Sequence, residues 1–295
     1  MENAVQKIIC MACGSPKTAF SFKKCGYDFW RCFECGFIFI FPLPESGNIY
    51  SKDYFSGALN GFGYVDYDSD KEPMENWFKK VLAIISKNAG GKGKLLDVGA
   101  ATGYFVELAA KNGWRAEGLE ISDYAASLGR KKGLDIKTGT LLDSNFAGGA
   151  FDVVTMFDVL EHFADPRKEI FKAAELLKKG GLLVINTPDA GSFYAKILGK
   201  RWHLFIPPEH ICYFNQKNIG IFMQKAGLNA VYRSKIGKKF TLEYIFKTLH
   251  KWQKLGIWNL IGSILKTIGL NKLSILVNLR DNMLIIAVKG QTLKK

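Results

Sequence analysis

The sequence predicts an α/β protein built on a doubly wound parallel sheet. Buried apolar segments at Leu95–Val98, Phe151–Phe157 and Leu182–Asn186 alternate with segments whose apolar residues recur at helical spacing. Alternating strands and helices are typical of a parallel sheet with helices on both faces. The 295 residues are enough for such a sheet and for further units. We expect a cysteine-rich unit before the sheet and a helical insertion before its last strand.

The stretch Lys94–Phe105, KLLDVGAATGYF, contains the turn around which this sheet is organised. A strand there runs into a glycine-containing turn, and a helix begins at about Tyr104. Glycines let the backbone approach a ligand closely, and the helix directs its free N–H groups at that ligand. Glu120 ends the next strand, about 20 residues after the glycines, where an acid can bind a pair of ribose hydroxyls. Dehydrogenases use similar turns, so this turn alone does not identify the ligand.

The other elements are predicted from apolar periodicity and from turn residues. Trp77, Val81 and Ile84 recur at helical spacing, and Gly180-Gly181 closes a later helix. In chain order we predict helices at about 74–87, 104–112, 122–132, 165–178 and 216–226, and strands at about 95–98, 114–119, 134–137, 151–157, 182–186, 229–234 and 281–289.

Four of the six cysteines form two C-x-x-C pairs, Cys10/Cys13 and Cys32/Cys35. Two such pairs separated by 18 residues fit a tetrahedral site of four thiolates. Such a site has no open coordination position, so we predict a structural Zn²⁺ that folds a small ribbon of strands. Redox-active or unpaired thiols are the alternative, which a doubled pair in a reducing compartment disfavours.

An apolar strand at 36–41 ends at Pro42, and residues 45–72 are rich in Tyr, Gly, Ser and Asp. The second segment is more aromatic than a plain linker needs to be. We therefore predict a connector that covers a substrate, with a plain linker as the alternative. Its aromatic residues include Tyr50, Tyr54, Phe55, Tyr64 and Tyr67.

Residues 238–280 form an unusual insertion before the last strand. Apolar residues, Trp252 and Trp258 among them, recur there at helical spacing, and eight Lys/Arg accompany one acid, Glu243. A basic amphipathic pair of helices with tryptophans can lie in a membrane interface. The alternative is that these helices pack on their own domain or on a partner subunit.

The net charge of +14 indicates anionic partners, such as nucleic acid, a membrane surface or phosphorylated substrates. General solubility is the alternative explanation. The N-terminal residues show no secretory signal, and no apolar run reaches the roughly 18 residues of a spanning helix. We expect a cytoplasmic protein, with peripheral contact at the inner face of a membrane as an extension of that prediction.

Four motifs in order resemble those of class I S-adenosylmethionine-dependent methyltransferases. Asp97–Gly103 resembles the first motif of that family, and Glu120 resembles its ribose-binding acid. Phe151–His162, with Asp165-Pro166 after it, resembles the motif that follows the fourth strand, and Leu176–Ile185 resembles the segment that leads into the fifth. The E-H-x-x-D-P sequence is rare in dehydrogenases, which disfavours a dinucleotide as the ligand.

The resemblance covers about 77–229 and the last strand, and it implies a Rossmann-like sheet with S-adenosylmethionine at its carboxyl edge. The cysteine pairs and Pro207–Phe214 resemble a bacterial subgroup with a zinc ribbon before the methyltransferase domain. Members of that subgroup often modify sugars, lipids or secondary metabolites. We expect four units: a zinc ribbon at 1–44, a connector or lid at 45–72, a methyltransferase domain at 73–237 and 281–290, and a basic helical insertion at 238–280.

The resemblance also implies roles for individual residues. Glu120 would bind the ribose hydroxyls, Gly99 and Gly103 would lie beside the amino-acid portion, and Asp97 would orient its ammonium group. Ala101 stands where the family commonly has a glycine, and its methyl group is tolerable if φ is negative. The residues predicted to bind the cofactor are Asp97, Gly99, Ala101, Gly103, Glu120, Ile121 and Phe157.

Methyl transfer to a hydroxyl requires in-line positioning and removal of a proton. Of the four histidines, His162 is the first candidate base because it follows the fourth strand, and His210 is the second. For each, a structural histidine bonded to backbone carbonyls is the alternative. Asp158-x-x-Glu161-His162 also resembles the E-x-x-E-H group that binds a divalent metal in ubiquinone-type O-methyltransferases. We favour instead the interpretation that Asp158 and Glu161 cap or solvate the start of the next helix, which leaves Mg²⁺ as the less favoured option.

Two classes of methyl acceptor remain. The first is a small-molecule, sugar or lipid-linked acceptor, including quinone-like phenols, and the second is RNA bound by the zinc ribbon and the basic surface. A protein that only binds the cofactor or a partner is a third alternative. We favour the first class over RNA, because the basic residues are concentrated beside tryptophans in the insertion and not in the ribbon. Within that class we expect methyl transfer to oxygen.

Overall fold

The computed structural model describes residues 8–44, 72–253 and 255–290, which form two sheets with flanking helices. The predicted connector at 45–72 lies outside the described residues except for its last position. The smaller sheet has the order β1-β2-β3-β9 and consists of β1 (Thr18–Lys24), β2 (Tyr27–Cys32), β3 (Ile38–Ile40) and β9 (Cys212–Tyr213).

The larger sheet has seven strands in the order β10-β11-β8-β7-β4-β5-β6. Its five strands from β8 to β6 are parallel, and β11 pairs antiparallel with both β8 and β10. This arrangement confirms the predicted doubly wound, Rossmann-like fold. The strands are β4 (Lys94–Val98), β5 (Arg115–Glu120), β6 (Ile136–Thr138), β7 (Phe151–Phe157), β8 (Leu177–Pro188), β10 (Leu228–Thr241) and β11 (Ser274–Lys289).

The helices connect these strands and cover both faces of the larger sheet. Ser122, Asp165, Ser192 and Asn215 each cap a helix by accepting a hydrogen bond from a backbone N–H of its first turn. The helices are α1 (Glu75–Ala89), α2 (Tyr104–Lys111), α3 (Asp123–Lys131), α4 (Pro166–Leu176), α5 (Phe193–Leu198), α6 (Gln216–Lys225), α7 (Leu242–Gln253) and α8 (Gly256–Thr267).

One predicted boundary is wrong. The sequence predicts a helix that reaches Lys178 and is closed by Gly180-Gly181, whereas α4 ends at Leu176 and β8 begins at Leu177. Leu177 pairs with Phe151 of β7, so the backbone enters the sheet before it reaches the glycines. The glycines lie at an irregularity of this ladder, and the apolar run that follows them continues the strand.

The last two strands are longer than predicted. Asn282 of β11 pairs with Pro188 at the carboxyl end of β8. The residues of β11 that precede Asn282 have no partner in β8, but their pairing with β10 continues to Thr241↔Ser274. The helices α7 and α8 stand between these two strand ends. We call residues 238–280 the arm. The arm therefore projects past the carboxyl edge of the larger sheet.

The N-terminal cysteine-rich unit is joined to the larger domain by strand pairing and by a shared aromatic core. β3 pairs with β9, with Ile38 opposite Tyr213. The Phe29 ring lies 5.3 Å from the Phe205 ring and 5.5 Å from the Tyr213 ring, measured between centroids. The two units are thus one packing unit at this face.

We expect Phe29→Ala to lower the free energy of unfolding by about 3–5 kcal/mol, because it opens a cavity in this shared core. Phe33→Ala is the matched control, since Phe33 is an exposed phenylalanine of the same unit, and its effect should stay within about 0.5 kcal/mol. Urea denaturation followed by near-ultraviolet circular dichroism measures both values. Equal effects of the two substitutions would contradict the shared core.

Candidate functional site

The candidate site lies at the carboxyl edge of the larger sheet. Val98 of β4 pairs with Leu119 of β5 on one side and with Met156 of β7 on the other. Because all three strands are parallel, the residues that follow them meet at the same edge. In open α/β sheets this edge, at the point where the strand order reverses, is where ligands bind.

The turn after β4 is held open by residues with positive φ. Gly99 has φ +76° and Gly103 has φ +84°, and a Cβ on Gly99 would lie 2.7 Å from the Val159 side chain. Ala101 has φ +49°, so the negative φ under which its methyl group would be tolerated without strain is not found. The backbone N–H of Ala101 donates to the Glu120 carboxylate at 2.8 Å, a bond that accompanies the left-handed conformation. The turn thus keeps a glycine-like shape with an alanine in its middle.

Glu120 and Asp97, two acids predicted to bind the cofactor, are buried beside this turn. The Glu120 carboxylate also accepts a bond from the Ser122 N–H at 2.8 Å, and Asp97 accepts one from the Thr155 hydroxyl at 2.6 Å. The pKa of Glu120 is raised, because burial outweighs the opposite effect of the N–H groups of Ser122 and Ala101. Ile121, the next residue, is by contrast 55% exposed.

Phe157 ends β7 at the same edge, but its ring belongs to an aromatic cluster under the first two helices. The ring centroid lies 4.7 Å from that of Phe105, 5.8 Å from that of Trp77 and 5.9 Å from that of Phe78. The structure therefore gives the Phe157 side chain a packing role in addition to its position at the edge.

The fold brings the two candidate bases together, although they are far apart in sequence. The rings of His162 and His210 are 4.9 Å apart and nearly perpendicular. Nδ1 of His162 lies 2.8 Å from the Glu209 carbonyl, and Nδ1 of His210 lies 3.0 Å from the Leu204 carbonyl. A carbonyl only accepts, so each neutral ring carries its proton on Nδ1 and its lone pair on Nε2.

Glu161 completes this cluster through contacts with Thr187 and His210 that the sequence does not predict. Its carboxyl group is 1% exposed, accepts a bond from the Thr187 hydroxyl at 2.9 Å and lies 3.9 Å from Nε2 of His210. Burial, the largest cause, raises its pKa to about 7; the nearby Asp158 carboxylate also raises it, and His162 lowers it. The sequence places Glu161 beside His162, but the contact with Thr187 depends on the neighbouring strand.

The interpretation that Asp158 and Glu161 cap or solvate the next helix is wrong. Asp165 caps that helix, and Asp158 accepts a bond from the Asn186 amide at 2.7 Å. The structure instead groups Glu161, His162 and His210, whose ligand atoms lie within 4.8 Å of one another. This group could hold a metal ion, with His210 in the place that the sequence motif gave to Asp158.

The four paired cysteines form a second cluster with the geometry of a metal site. Sγ of Cys10 lies 3.6 Å from Sγ of Cys35, and Sγ of Cys13 lies 3.6 Å from Sγ of Cys32. Tetrahedral Zn–S bonds of about 2.3 Å place neighbouring sulfurs about 3.8 Å apart. The four sulfurs therefore fit one tetrahedral Zn²⁺, as the spacing predicts.

Comparison of the sequence with known protein families defines the class of protein. A family model described as a methyltransferase domain matches residues 70–233, more than half of the chain. The chain therefore belongs to this family and is an S-adenosylmethionine-dependent methyltransferase, as its motifs predict. The acids and the exposed Ile121 beside the turn fit that cofactor, because carboxylates suit an ammonium group and a ribose diol, and an apolar side chain suits a purine face.

Its relatives include enzymes named ubiquinone biosynthesis O-methyltransferase. The chain is 26% identical over 177 residues to the enzyme of Aromatoleum aromaticum, a match that covers 55% of this chain and 76% of that one. It is 28% identical over 155 residues to the enzyme of Cronobacter sakazakii, covering 49% and 64% of the two chains.

Solved structures show the same fold. The YcgJ protein of Bacillus subtilis aligns with a TM-score of 0.52 at 15% identity, covering 73% of this chain and 99% of that one. The PH0226 protein of Pyrococcus horikoshii aligns with a TM-score of 0.52 at 13% identity, covering 76% and 94%.

The turn predicts opposite effects for two small substitutions. Gly103→Ala should destabilise the protein by about 1–2 kcal/mol, because an L residue is strained at this φ. Ala101→Gly should stabilise it by up to about 1 kcal/mol, because the strain at Ala101 is removed at the cost of a more flexible unfolded chain. Urea denaturation measures both.

Ala100→Gly is the matched control for Ala101→Gly, because Ala100 is a buried alanine of the same turn that does not have a positive φ. There the same exchange should destabilise the protein by about 0.4–1 kcal/mol. Destabilisation by both alanine exchanges would show that Ala101 is not strained.

Proposed function

We propose that this methyltransferase transfers a methyl group to a hydroxyl oxygen of a small-molecule, sugar or lipid-linked acceptor, with a histidine of the site as general base. The observation that carries this proposal is the pair of perpendicular imidazoles, His162 and His210, at the carboxyl edge of the sheet. The names of the relatives, which are O-methyltransferases, support the same acceptor atom.

S-adenosylmethionine supplies an electrophilic methyl group on a sulfonium. We assign Glu120 to its ribose hydroxyls, Asp97 to its ammonium group and Ile121 to its purine. Gly99 and Gly103 keep side chains out of the turn, and Ala101 positions Glu120 through its backbone N–H. Burial of both acids keeps water from competing for these bonds.

We assign the general base to His162, because it lies directly beyond β7 and its proton is fixed on Nδ1 by the Glu209 carbonyl. Nε2 then presents its lone pair and would accept the proton of the acceptor hydroxyl. The His210 ring packs against the His162 ring, and Nε2 of His210 lies 3.9 Å from the Glu161 carboxylate. It is the second candidate, and it orients the first through ring contact.

Glu161 supports the two histidines electrostatically. A carboxyl group with a pKa of about 7 is partly ionised near neutral pH, and its negative form stabilises an adjacent imidazolium. The same three side chains could hold Mg²⁺, the less favoured option. Two imidazoles and one carboxylate suit a softer ion better than Mg²⁺, which prefers oxygen ligands.

The names of the relatives support the proposed acceptor class. The curated relatives act in ubiquinone biosynthesis by name, which favours a small molecule with a phenol-like or other hydroxyl. The RNA alternative finds no support in these comparisons. A sugar or a lipid-linked glycan remains within the proposed class because it presents the same reacting group.

The first test incubates the protein and methyl-labelled S-adenosylmethionine with separated lipid, RNA and small-metabolite fractions. We expect label in the lipid or metabolite fraction and none in RNA. Glu120→Ala should abolish labelling and weaken cofactor binding, because the ribose hydroxyls lose their acceptor. Label in the RNA fraction would overturn the proposal.

The same assay tests the base. His162→Gln should lower kcat by about 10²–10⁴-fold without weakening cofactor binding. His250→Gln is the matched control, because Nδ1 of His250 also bonds a backbone carbonyl, 3.0 Å away, but lies in the arm. Activity that is lost with a chelator and restored by added Mg²⁺ would contradict the base and indicate a metal at Glu161, His162 and His210.

We also propose that the N-terminal unit binds one structural Zn²⁺ through Cys10, Cys13, Cys32 and Cys35. Their sulfur geometry supports this, and so do backbone N–H groups at the sulfurs. The Cys35 thiol, and after it the N–H groups of Cys13 and Ala12, lower the pKa of Cys10 to about 5, against its burial, whereas the pKa values of Cys13 and Cys35 are raised. A bound Zn²⁺ would therefore have to displace the thiol protons of Cys13 and Cys35.

We expect about one zinc per purified chain by mass spectrometry of the metal. Cys13→Ser should remove most of the zinc and lower the melting temperature, because a ligand is lost. Cys25→Ser is the matched control, since Cys25 is an exposed cysteine of the same unit outside the cluster. Full zinc content in Cys13→Ser, or none in the unchanged protein, would refute the site.

A further inference from the structure

The arm carries an apolar surface that no other described residue covers. Ile257, Leu260 and Ile264 of α8 and Ile268, which caps its C-terminus, follow one another at spacings of three and four, so they share one side of the helix. A folded protein rarely exposes so many large apolar side chains together without a partner. Ten such residues of the arm are between 37% and 61% exposed: Leu255, Ile257, Leu260, Ile264, Ile268, Leu270, Leu273, Ile275, Leu276 and Leu279.

Cations accompany this apolar surface. Lys266, Lys272 and Arg280 are exposed in the same stretch of the arm. The whole arm contains eight Lys/Arg and one acid, Glu243, whose carboxylate pairs with Lys247 at 2.7 Å. An apolar surface surrounded by basic residues is complementary to a lipid bilayer, which has an apolar interior and an anionic surface.

The arm lies at the same edge of the larger sheet as the candidate site. The pairing of β11 with β8 ends at Asn282, opposite Pro188 at the carboxyl end of β8, and the residues of β11 before Asn282 pair only with β10. The same edge carries the turn at 99–103, Glu120 and His162. A surface that holds the arm would therefore face the edge where methyl transfer is proposed.

We propose that the arm binds the face of an anionic lipid bilayer peripherally, with the side chains of α8 and of residues 274–280 of β11 in the interface. Among the described residues no helix is long and apolar enough to cross a bilayer, so the contact is made from one side. A second copy of the chain fits less well, because two arms would bring together two surfaces that are both strongly basic.

This inference deepens the proposed function, on which it rests for one point only: the membrane would be the source of a lipid-linked acceptor. Binding of the arm to lipid is independent of that chemistry. An acceptor embedded in the bilayer would meet the site by lateral diffusion, while a soluble acceptor would gain nothing from the arm.

The test is co-sedimentation of the full chain with vesicles of phosphatidylcholine and phosphatidylglycerol, compared with vesicles of phosphatidylcholine alone. We expect binding to the mixed vesicles that falls with added salt. The double substitutions Leu260→Ser/Ile264→Ser and Lys266→Gln/Lys272→Gln should each weaken binding by about tenfold or more, since one removes apolar area and the other two charges.

Matched controls remove the same groups elsewhere on the surface. Phe33→Ser/Phe171→Ser removes two exposed apolar rings, and Lys80→Gln/Lys179→Gln removes two exposed lysines, all outside the arm. Binding should be within about twofold of the unchanged protein for the apolar pair and less than threefold weaker for the lysine pair, because only long-range charge changes.

Two outcomes would overturn the inference. One is the absence of binding to the mixed vesicles. The other is a dimer in sedimentation velocity that Leu260→Ser/Ile264→Ser dissociates, which would assign the apolar surface to a second copy. The assay uses neither cofactor nor acceptor, so its failure leaves the proposed methyl transfer standing, and loss of methyl transfer leaves the vesicle result unchanged.

Discussion

The pairing of β4 with β5 on one side and β7 on the other is the constraint on which the site depends. Three parallel strands end in register, so the turn, the buried acid and the histidine segment meet although they are distant in sequence. Glu120 shows how tightly this edge is coupled: its carboxylate ties the turn after one strand to the end of the next. The sheet itself positions the residues that we propose bind the cofactor.

The histidine cluster depends on a second level of organisation. His162 follows β7, whereas His210 comes from the segment that leads into β9, a strand of the smaller sheet. The carbonyls of Leu204 and Glu209, from that same segment, set the orientation of both rings. The smaller sheet thus contributes to the geometry of the site through the backbone that connects the two sheets.

The sequence predicted the doubly wound fold because its signals are local: apolar runs for strands, glycines for the turn, an acid at a strand end. It did not predict β9, which has only two residues. It missed the full length of β10 and β11, because charged residues interrupt both strands, Lys238 and Lys239 in β10 and Arg280 and Asp281 in β11. It could not place His210 against His162 or Thr187 against Glu161, because both contacts depend on tertiary packing. The positive φ of Ala101, which accompanies its bond to Glu120, is likewise not readable from the sequence.

The pairing of β3 with β9 has a physiological consequence. β3 follows the cysteine pairs directly, and β9 begins two residues after His210. If the cysteines hold zinc as proposed, the order of the histidine segment depends on metal supply, since structural zinc contributes directly to folding. A cell starved of zinc would then lose this methylation even with abundant S-adenosylmethionine, and trace-metal nutrition would govern how much modified product it makes.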